Sequence, residues 1–153
     1  MLANASNKTA TDMVAVRAHL KIYCFNNLGN IMSKTSDFID SMTPQEVFDF
    51  IVNHMKKQQQ QSVGSFKTGV CLYRSGELKC AAGCLIHDDD YDSSMENCGW
   101  IEIARRLKCR EKHNSLILSM QLCHDRNNLI IPMLEAFRLV AKIFGLDDGV
   151  IDS

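Results

Sequence analysis

Residues 43–60 read TPQEVFDFIVNHMKKQQQ, and this stretch carries the clearest helix signal in the chain. Thr43 is suited to the N-cap and Pro44 to the first helical position. Glu46 is suited to the third position, where its carboxylate reaches back to the Thr43 N–H. Apolar residues then recur at helical spacing, from Val47 to Met55. We therefore predict an amphipathic helix from Thr43 to about Gln60.

Other stretches also predict helices. Residues 97–108, the residues after a cap at Asn114 or Ser115, and the residues from Pro132 to Phe144 each repeat apolar side chains at helical spacing. Gly145 follows the last of these, where a left-handed residue commonly ends a helix. Residues 13–28 are apolar but mix helical and alternating periods, and we interpret them as a further helix.

A tight hairpin is predicted between these helices. Residues 70–73 and 78–80 are short β-compatible runs, and the four residues between them include Gly76, which accepts a positive φ. Two strands alone are only marginally stable, so they must lie against helices. The predicted fold class is therefore α+β, predominantly helical, with about five helices packed around one short β-hairpin.

The chain has 153 residues and a hydrophobic content of 46%, which suits one domain with a real core. We predict a flexible lead-in over residues 1–12, a single globular domain over 13–146 and a loose acidic tail over 147–153. No run approaches the roughly 20 apolar residues of a membrane span. The polar N-terminus also lacks the apolar stretch of a signal peptide, so we expect an intracellular protein.

The net charge of −1 gives no overall attraction to nucleic acid, which we do not expect as a partner. One local exception is the basic run that includes Arg105, Arg106, Lys108 and Arg110. This run could contact phosphate groups, for example of a sequestered nucleotide signal, or an acidic partner. The alternative is an ordinary solvated face, because glutamates interrupt the run.

Seven cysteines without a secretion signal indicate reduced thiols. One candidate site is a zinc site formed by Cys71, Cys80, Cys84 and His87, with the distant His124 as another choice for the fourth ligand. The spacing matches no zinc knuckle, because no C-x-x-C pair is present. The alternative is that these cysteines fill the packing between hairpin and helices, with no cofactor bound.

Catalysis is not expected, although the sequence leaves it open. His124 and Asp125 follow Cys123 directly, but neighbouring residues on a helix point in different directions. No nucleophile motif surrounds any of the cysteines.

The segments 71–74 (CLYR), 79–86 (KCAAGCLI) and 88–91 (DDDY) resemble a family of small, largely uncharacterised phage and prophage proteins. That family has a C-x-Y-R segment followed by K-C-A-x-G-C-L-I-P-D and a tyrosine. Its later L-Q-x-x-H-D element is matched here by residues 120–125. His87 stands where the family usually has proline. The resemblance implies a viral accessory protein in the cytoplasm of a bacterial host, and it transfers no activity.

Several apolar residues lie off the main helical stripes, and an exposed apolar patch usually marks an interface. They are Phe25, Leu28, Phe38, Ile39, Phe50, Leu118, Leu122, Leu139 and Ile143. The leading hypothesis is a non-enzymatic interaction module that binds and modulates a host protein, possibly one used in defence. Self-association into a homo-oligomer and a metal- or small-ligand-binding module are the alternatives. For the apolar residues themselves, the alternative is a thicker core in which the N-terminal segment covers the later helices.

Overall fold

A computed structural model of the chain describes residues 32–64 and 71–153. The predicted lead-in over residues 1–12 and the predicted helix over residues 13–28 lie outside the described residues. Residues Met32–Ser153 form one compact unit.

The fold is α+β and predominantly helical, as predicted. The described residues contain five α-helices: α1 Lys34–Ser41, α2 Pro44–Gln58, α3 Trp100–Arg106, α4 Asn114–Arg126 and α5 Ile130–Phe144. Short 3-10 turns cover Gly83–Leu85, Ser93–Asn97, Glu111–His113 and Gly149–Ile151. Within the described ranges, every helix is too short or too polar to cross a lipid bilayer.

The predicted capping box of α2 is confirmed. The Thr43 side chain accepts from the Glu46 N–H at 3.2 Å, and the Glu46 carboxylate accepts from the Thr43 N–H at 2.7 Å. These bonds satisfy backbone donors that have no partner inside the helix. The helix ends at Gln59, which takes a left-handed φ of 62° and donates its N–H to the Met55 carbonyl. Both ends of α2 are thus fixed by local bonds.

Helix α2 lies at the centre of the core. Its apolar face, which runs from Val47 to Met55, is fully buried, and it contacts both α4 and α5. Trp100 of α3 and Phe137 of α5 are among the largest buried side chains. The Trp100 indole N–H donates to the Asn114 side chain at 3.0 Å, so α3 is joined to the start of α4. Burial of these large side chains provides the main stabilisation of the fold.

The predicted hairpin is present, but its first strand begins later than expected. β1 comprises Arg74–Ser75 and β2 comprises Leu78–Lys79, with Arg74 opposite Lys79 and Ser75 opposite Leu78. Gly76 starts the two-residue turn with a φ of +61°. Cys71 is not in this sheet, because it forms an isolated antiparallel bridge with Val63 instead.

The small residues after β2 allow a close backbone approach. Gly83 lies against the Tyr73 carbonyl, and a Cβ at this position would be 2.1 Å from that oxygen. Only glycine fits such an approach. The 3-10 turn Gly83–Leu85 is therefore held directly against the strand-like segment before the hairpin.

The end of the chain differs from the predicted loose tail. Gly145 ends α5 with a φ of +67°, and the Leu146 N–H reaches the Ala141 carbonyl, which is the predicted helix end. Beyond it, Lys56 donates to the carbonyls of Val150 and Ser153 at 2.9 and 2.7 Å. Residues 147–153 are therefore attached to α2, and the expectation of a loose tail is wrong.

Candidate functional site

Two of the four predicted zinc ligands are part of the core. The Cys80 side chain is fully buried, and its sulfur accepts from the Gly83 N–H at 3.2 Å. The Cys84 thiol is also buried and donates to the Ala81 carbonyl at 3.2 Å. Burial raises the pKa of Cys80 to about 12, so this thiol keeps its proton at neutral pH. Both thiols fill the space between the hairpin and the helices.

His87 is separate from these thiols. Its side chain is about half exposed, and its Nδ1 accepts from the Asp89 N–H at 3.2 Å. Among the residues that the structure describes, no group of three metal-ligating side chains includes Cys80, Cys84 or His87. Of the four predicted ligands, only Cys71 lies in such a group.

That group is formed by Cys71, His124 and Asp125, which we call the Cys71 cluster. One ligand atom from each of the three side chains lies within 4.8 Å of the other two. His124 is fully buried, Cys71 is half-buried and Asp125 is exposed. A thiol, an imidazole and a carboxylate are the ligand types that zinc takes from proteins. His124 was considered from sequence as a distant fourth ligand, whereas Asp125 was not considered.

Local structure brings the three side chains together. His124 and Asp125 lie in the last turn of α4. The Gln61 amide donates to the His124 carbonyl, and the Leu72 N–H donates to the Ser62 carbonyl at 2.9 Å. The Val63–Cys71 bridge continues this pairing. The two short segments on either side of residues 65–70 are thereby fixed to the C-terminal end of α4.

The hydrogen bonds of His124 define its tautomer. Its Nε2 accepts from the Ser62 backbone N–H at 3.3 Å, so the proton of the neutral ring is on Nδ1. Nδ1 lies 2.9 Å from Asp125 Oδ1 and donates to it. Both ring nitrogens are therefore occupied, and neither is free to take a proton from Cys71.

Cys71 is not an activated nucleophile in this arrangement. Burial, followed by the charge of Asp125 and a hydrogen bond to it, raises the pKa of Cys71 to about 12. A reactive cysteine needs the opposite shift, produced by a cation or an imidazolium nearby. The geometry therefore favours a neutral thiol that only a strong electrophile, such as a metal ion, would deprotonate.

A cavity of about 280 Å³ adjoins the cluster, and Cys71, Asp125, Gln121, Tyr73 and Trp100 contribute to its wall. Gln121 positions the carboxylate of Asp125, to which its amide donates at 2.6 Å. The Gln121 oxygen in turn accepts from the Ala82 N–H at 2.9 Å. The carboxylate is thus held by a side chain that is itself anchored to the backbone.

The predicted basic run is largely paired within the protein. Arg105 and Arg106 both bind the Glu102 carboxylate, at 2.7 and 2.9 Å. Lys108 has a left-handed φ of 59° just after α3, and the Arg110 backbone N–H donates to Asp40 at 2.9 Å. Exposed i,i+3 and i,i+4 pairs of this kind are usual on solvated helix faces. The contacts of this run match the solvated-face alternative better than a phosphate site.

A second candidate site is an apolar surface on α5. We define the α5 face as the outward side chains Ile131, Glu135, Leu139, Lys142 and Ile143. Ile131, Leu139 and Ile143 are 72%, 64% and 78% exposed, and Leu129 just before the helix is 63% exposed. The opposite side of α5 is buried through Met133, Phe137, Val140 and Ala141. One side of α5 is therefore buried in the core, and, as far as the described residues show, the other side exposes three large apolar side chains together with two charged ones.

Part of this surface was predicted from the sequence. Leu139 and Ile143 were expected off the main stripe, whereas Leu129 and Ile131 were missed because they lie at the start of the helix. Ile39 was also among the apolar residues expected off the main stripes, and it is 1% exposed on the buried side of α1, so it is not part of an exposed patch. Phe25 and Leu28 lie outside the described residues.

Comparison of this chain with protein-family models, with curated proteins and with solved structures finds no match.

Proposed function

We propose that this chain is a phage-type accessory protein that acts as a non-enzymatic interaction module in the cytoplasm of a bacterial host. Its α5 face binds a host protein and modulates it. The observation that carries the proposal is the exposure of Ile131, Leu139 and Ile143 on one side of a helix whose other side is already buried. The phage setting rests on the sequence resemblance alone.

The physical argument concerns helix amphipathicity. A helix on the surface of a globular protein normally turns polar residues outward, and a helix that is apolar all round is normally buried on all sides. Ile131, Leu139 and Ile143 lie at positions i, i+8 and i+12 of one ridge along α5, and Glu135 occupies the i+4 position between Ile131 and Leu139. Such a ridge is the pattern by which a helix enters an apolar groove of a partner.

Two charged residues on the same face restrict the partner. Glu135 lies on the ridge between Ile131 and Leu139, 3.7 Å from Arg138, and Lys142 lies beside the ridge; both are exposed. The fitting surface is an apolar groove with a basic group near the first half of α5 and an acidic group near its end. Such rim charges affect the association rate and exclude wrong partners more than they add affinity.

The test uses substitutions on the α5 face with a matched control. Ile143→Glu and Leu139→Lys place charge on exposed positions, so the fold should be unchanged. Ile101→Glu on α3 makes the same change at a 50% exposed position away from the α5 face. A host protein captured by the wild type is purified, and its binding to each variant is then measured by calorimetry.

We expect each of the two face variants to weaken binding by at least about 30-fold, because central apolar anchors typically carry about 2 kcal/mol or more each. The Ile101→Glu variant should bind like the wild type. Equal binding by all variants, or an equal loss in the Ile101→Glu control, would show that the α5 face is not the binding surface.

Self-association is the second candidate, and one observation favours it. In an antiparallel pairing of two copies, Glu135 of one copy would lie opposite Lys142 of the other, so the α5 face is complementary to itself. Light scattering of the purified chain decides between the two. A dimer that Ile143→Glu converts to a monomer would identify the face as a contact between copies, and the host-binding proposal for this face would fail.

A further inference from the structure

We propose that Cys71, His124 and Asp125 bind a divalent transition-metal ion, with zinc as the best-fitting ion. This metal site is independent of the α5 face and of any partner bound there. Its ligand set differs from the four-residue set that sequence spacing suggested, since it retains Cys71 and takes its other ligands from the end of α4.

The distances fit a metal site after a small adjustment. Zinc–ligand bonds of about 2.0 to 2.3 Å place two ligands of a tetrahedral site roughly 3.3 to 3.8 Å apart. The three ligand atoms already lie within 4.8 Å of one another. Because Cys71 is only half-buried, rotation of its side chain can provide the remaining shift.

The ligand types favour zinc over the harder cations. Calcium and magnesium prefer oxygen ligands only, whereas this site offers one sulfur, one nitrogen and one carboxylate oxygen. A fixed neighbour supports the carboxylate ligand in the way usual for metal sites, whereas the second ring nitrogen of His124 faces the Ser62 N–H rather than an acceptor. Gln121 holds the carboxylate of Asp125 at 2.6 Å, and the buried ring of His124 has no freedom to turn away.

Binding requires two changes in protonation, and they balance. The Cys71 thiol loses its proton to solvent as the sulfur bonds the metal. The proton of the His124 ring moves from Nδ1 to Nε2, so the ring stays neutral while Nδ1 binds the ion. The new Nε2–H would face the Ser62 N–H, which in the metal-free chain donates to Nε2 at 3.3 Å, so the Ser62 backbone must move away as the ion binds, and the three metal–ligand bonds must offset that cost. We therefore expect release of about one proton for each ion bound.

The fourth coordination position would open toward the adjoining cavity. Cys71 and Asp125 line both the cluster and the cavity of about 280 Å³, so the cavity has room for water or a small ligand on the metal. Three protein ligands with one open position is the arrangement of zinc sites that exchange ligands, whereas purely structural sites use four protein ligands.

The experiment measures Zn²⁺ binding to the full chain by competition with a chelator, and Co²⁺ binding by its thiolate charge-transfer absorption. Cys71→Ser and Asp125→Asn each remove one ligand at a position that is not fully buried. Cys98→Ser is the matched control, because Cys98 lines the same cavity without belonging to the cluster. Circular dichroism checks that each variant is folded.

We expect one Zn²⁺ per wild-type chain, about one proton released in calorimetry, and a thiolate–cobalt band. Cys71→Ser should remove that band, and Cys71→Ser and Asp125→Asn should each weaken Zn²⁺ binding by at least about 100-fold. Cys98→Ser should bind normally. Absence of stoichiometric Zn²⁺ binding by the wild type, or binding that survives both ligand substitutions, would overturn the proposal. So would an equal loss of binding in Cys98→Ser.

Discussion

Cys71 precedes the hairpin in the chain and Cys80 follows it directly. The pKa of both thiols is raised, yet their surroundings differ. Cys80 is fully buried, and its sulfur accepts from the Gly83 backbone N–H. Cys71 is half-buried beside an imidazole, a carboxylate and a cavity. The comparison teaches that a raised thiol pKa alone does not distinguish a packing residue from a candidate ligand. The neighbours of the sulfur make that distinction.

The largest expected effect on the free energy of unfolding comes from a substitution in the 3-10 turn Gly83–Leu85, whose first N–H donates to the Cys80 sulfur. Gly83→Ala would place a Cβ 2.1 Å from the Tyr73 carbonyl oxygen, so the backbone must move. We expect the free energy of unfolding to fall by about 3 kcal/mol or more, measured by denaturant titration. Gly99→Ala is the control, because nothing lies within 4 Å of the added Cβ there. A loss below about 1 kcal/mol would mean that the turn is not a fixed part of the core.

A smaller effect is expected when Cys80 itself is changed. Cys80→Ser buries a polar hydroxyl in place of the larger sulfur. The sulfur atom that accepts from the Gly83 N–H and fills this position is lost. We expect a loss of about 2 kcal/mol in the free energy of unfolding. The same denaturant titration measures it. Stability equal to the wild type would contradict the assignment of Cys80 to the core.

The contribution of Cys80 to the free energy of unfolding should be lost at alkaline pH. Burial raises the pKa of Cys80 in the folded protein to about 12, above the ordinary thiol value of 9.0, so the folded protein keeps a proton that the unfolded chain loses. This stabilisation is complete below pH 9 and is lost as the pH rises toward 12. We expect Cys80 to account for a loss of about 1 kcal/mol in the free energy of unfolding between pH 8 and pH 10. Cys80→Ala should show a shallower fall than the wild type, and identical slopes would refute the assignment.

The smallest effect is expected at Cys71. Without metal, Cys71→Ser should change the free energy of unfolding by only about 0.5 kcal/mol, because the position borders a cavity and is half-buried. Denaturant titration in the presence of a chelator measures this value. A loss as large as that of Cys80→Ser would place Cys71 in the core and remove the contrast between the two cysteines.

Local signals in the sequence predicted much of the fold. The capping box at Thr43 and Glu46 and the glycine end at Gly145 depend on a few neighbouring residues, and both are confirmed. The hairpin was predicted around Gly76, but its first strand was placed too early. Residues 71–73 have strand-forming side chains, but their backbone pairs elsewhere. Cys71 forms a bridge with Val63, and the Tyr73 N–H donates to Glu96.

The candidate site was predicted only in part, because it depends on contacts between distant segments. Cys71 and His124 were both named from sequence, but the spacing argument placed Cys80 and Cys84 beside Cys71. Cys71 lies near the end of α4 because Gln61 and Ser62 both donate hydrogen bonds to His124. A contact between segments so far apart in the chain cannot be predicted from a local sequence pattern. Helix α1 was missed for a similar reason. It is short, and its start is held by Asp90, which accepts from the backbone and side chain of Thr35.

Glu96 has a consequence for how this protein can associate. Its two carboxylate oxygens accept from the Tyr73 and Arg74 backbone N–H groups at 2.7 and 3.0 Å, and the Tyr91 hydroxyl donates to one of them. These amides lie along an edge where another chain could otherwise add a strand. Because a side chain of the same molecule already accepts from both amides, these two donors are closed to a strand of another chain.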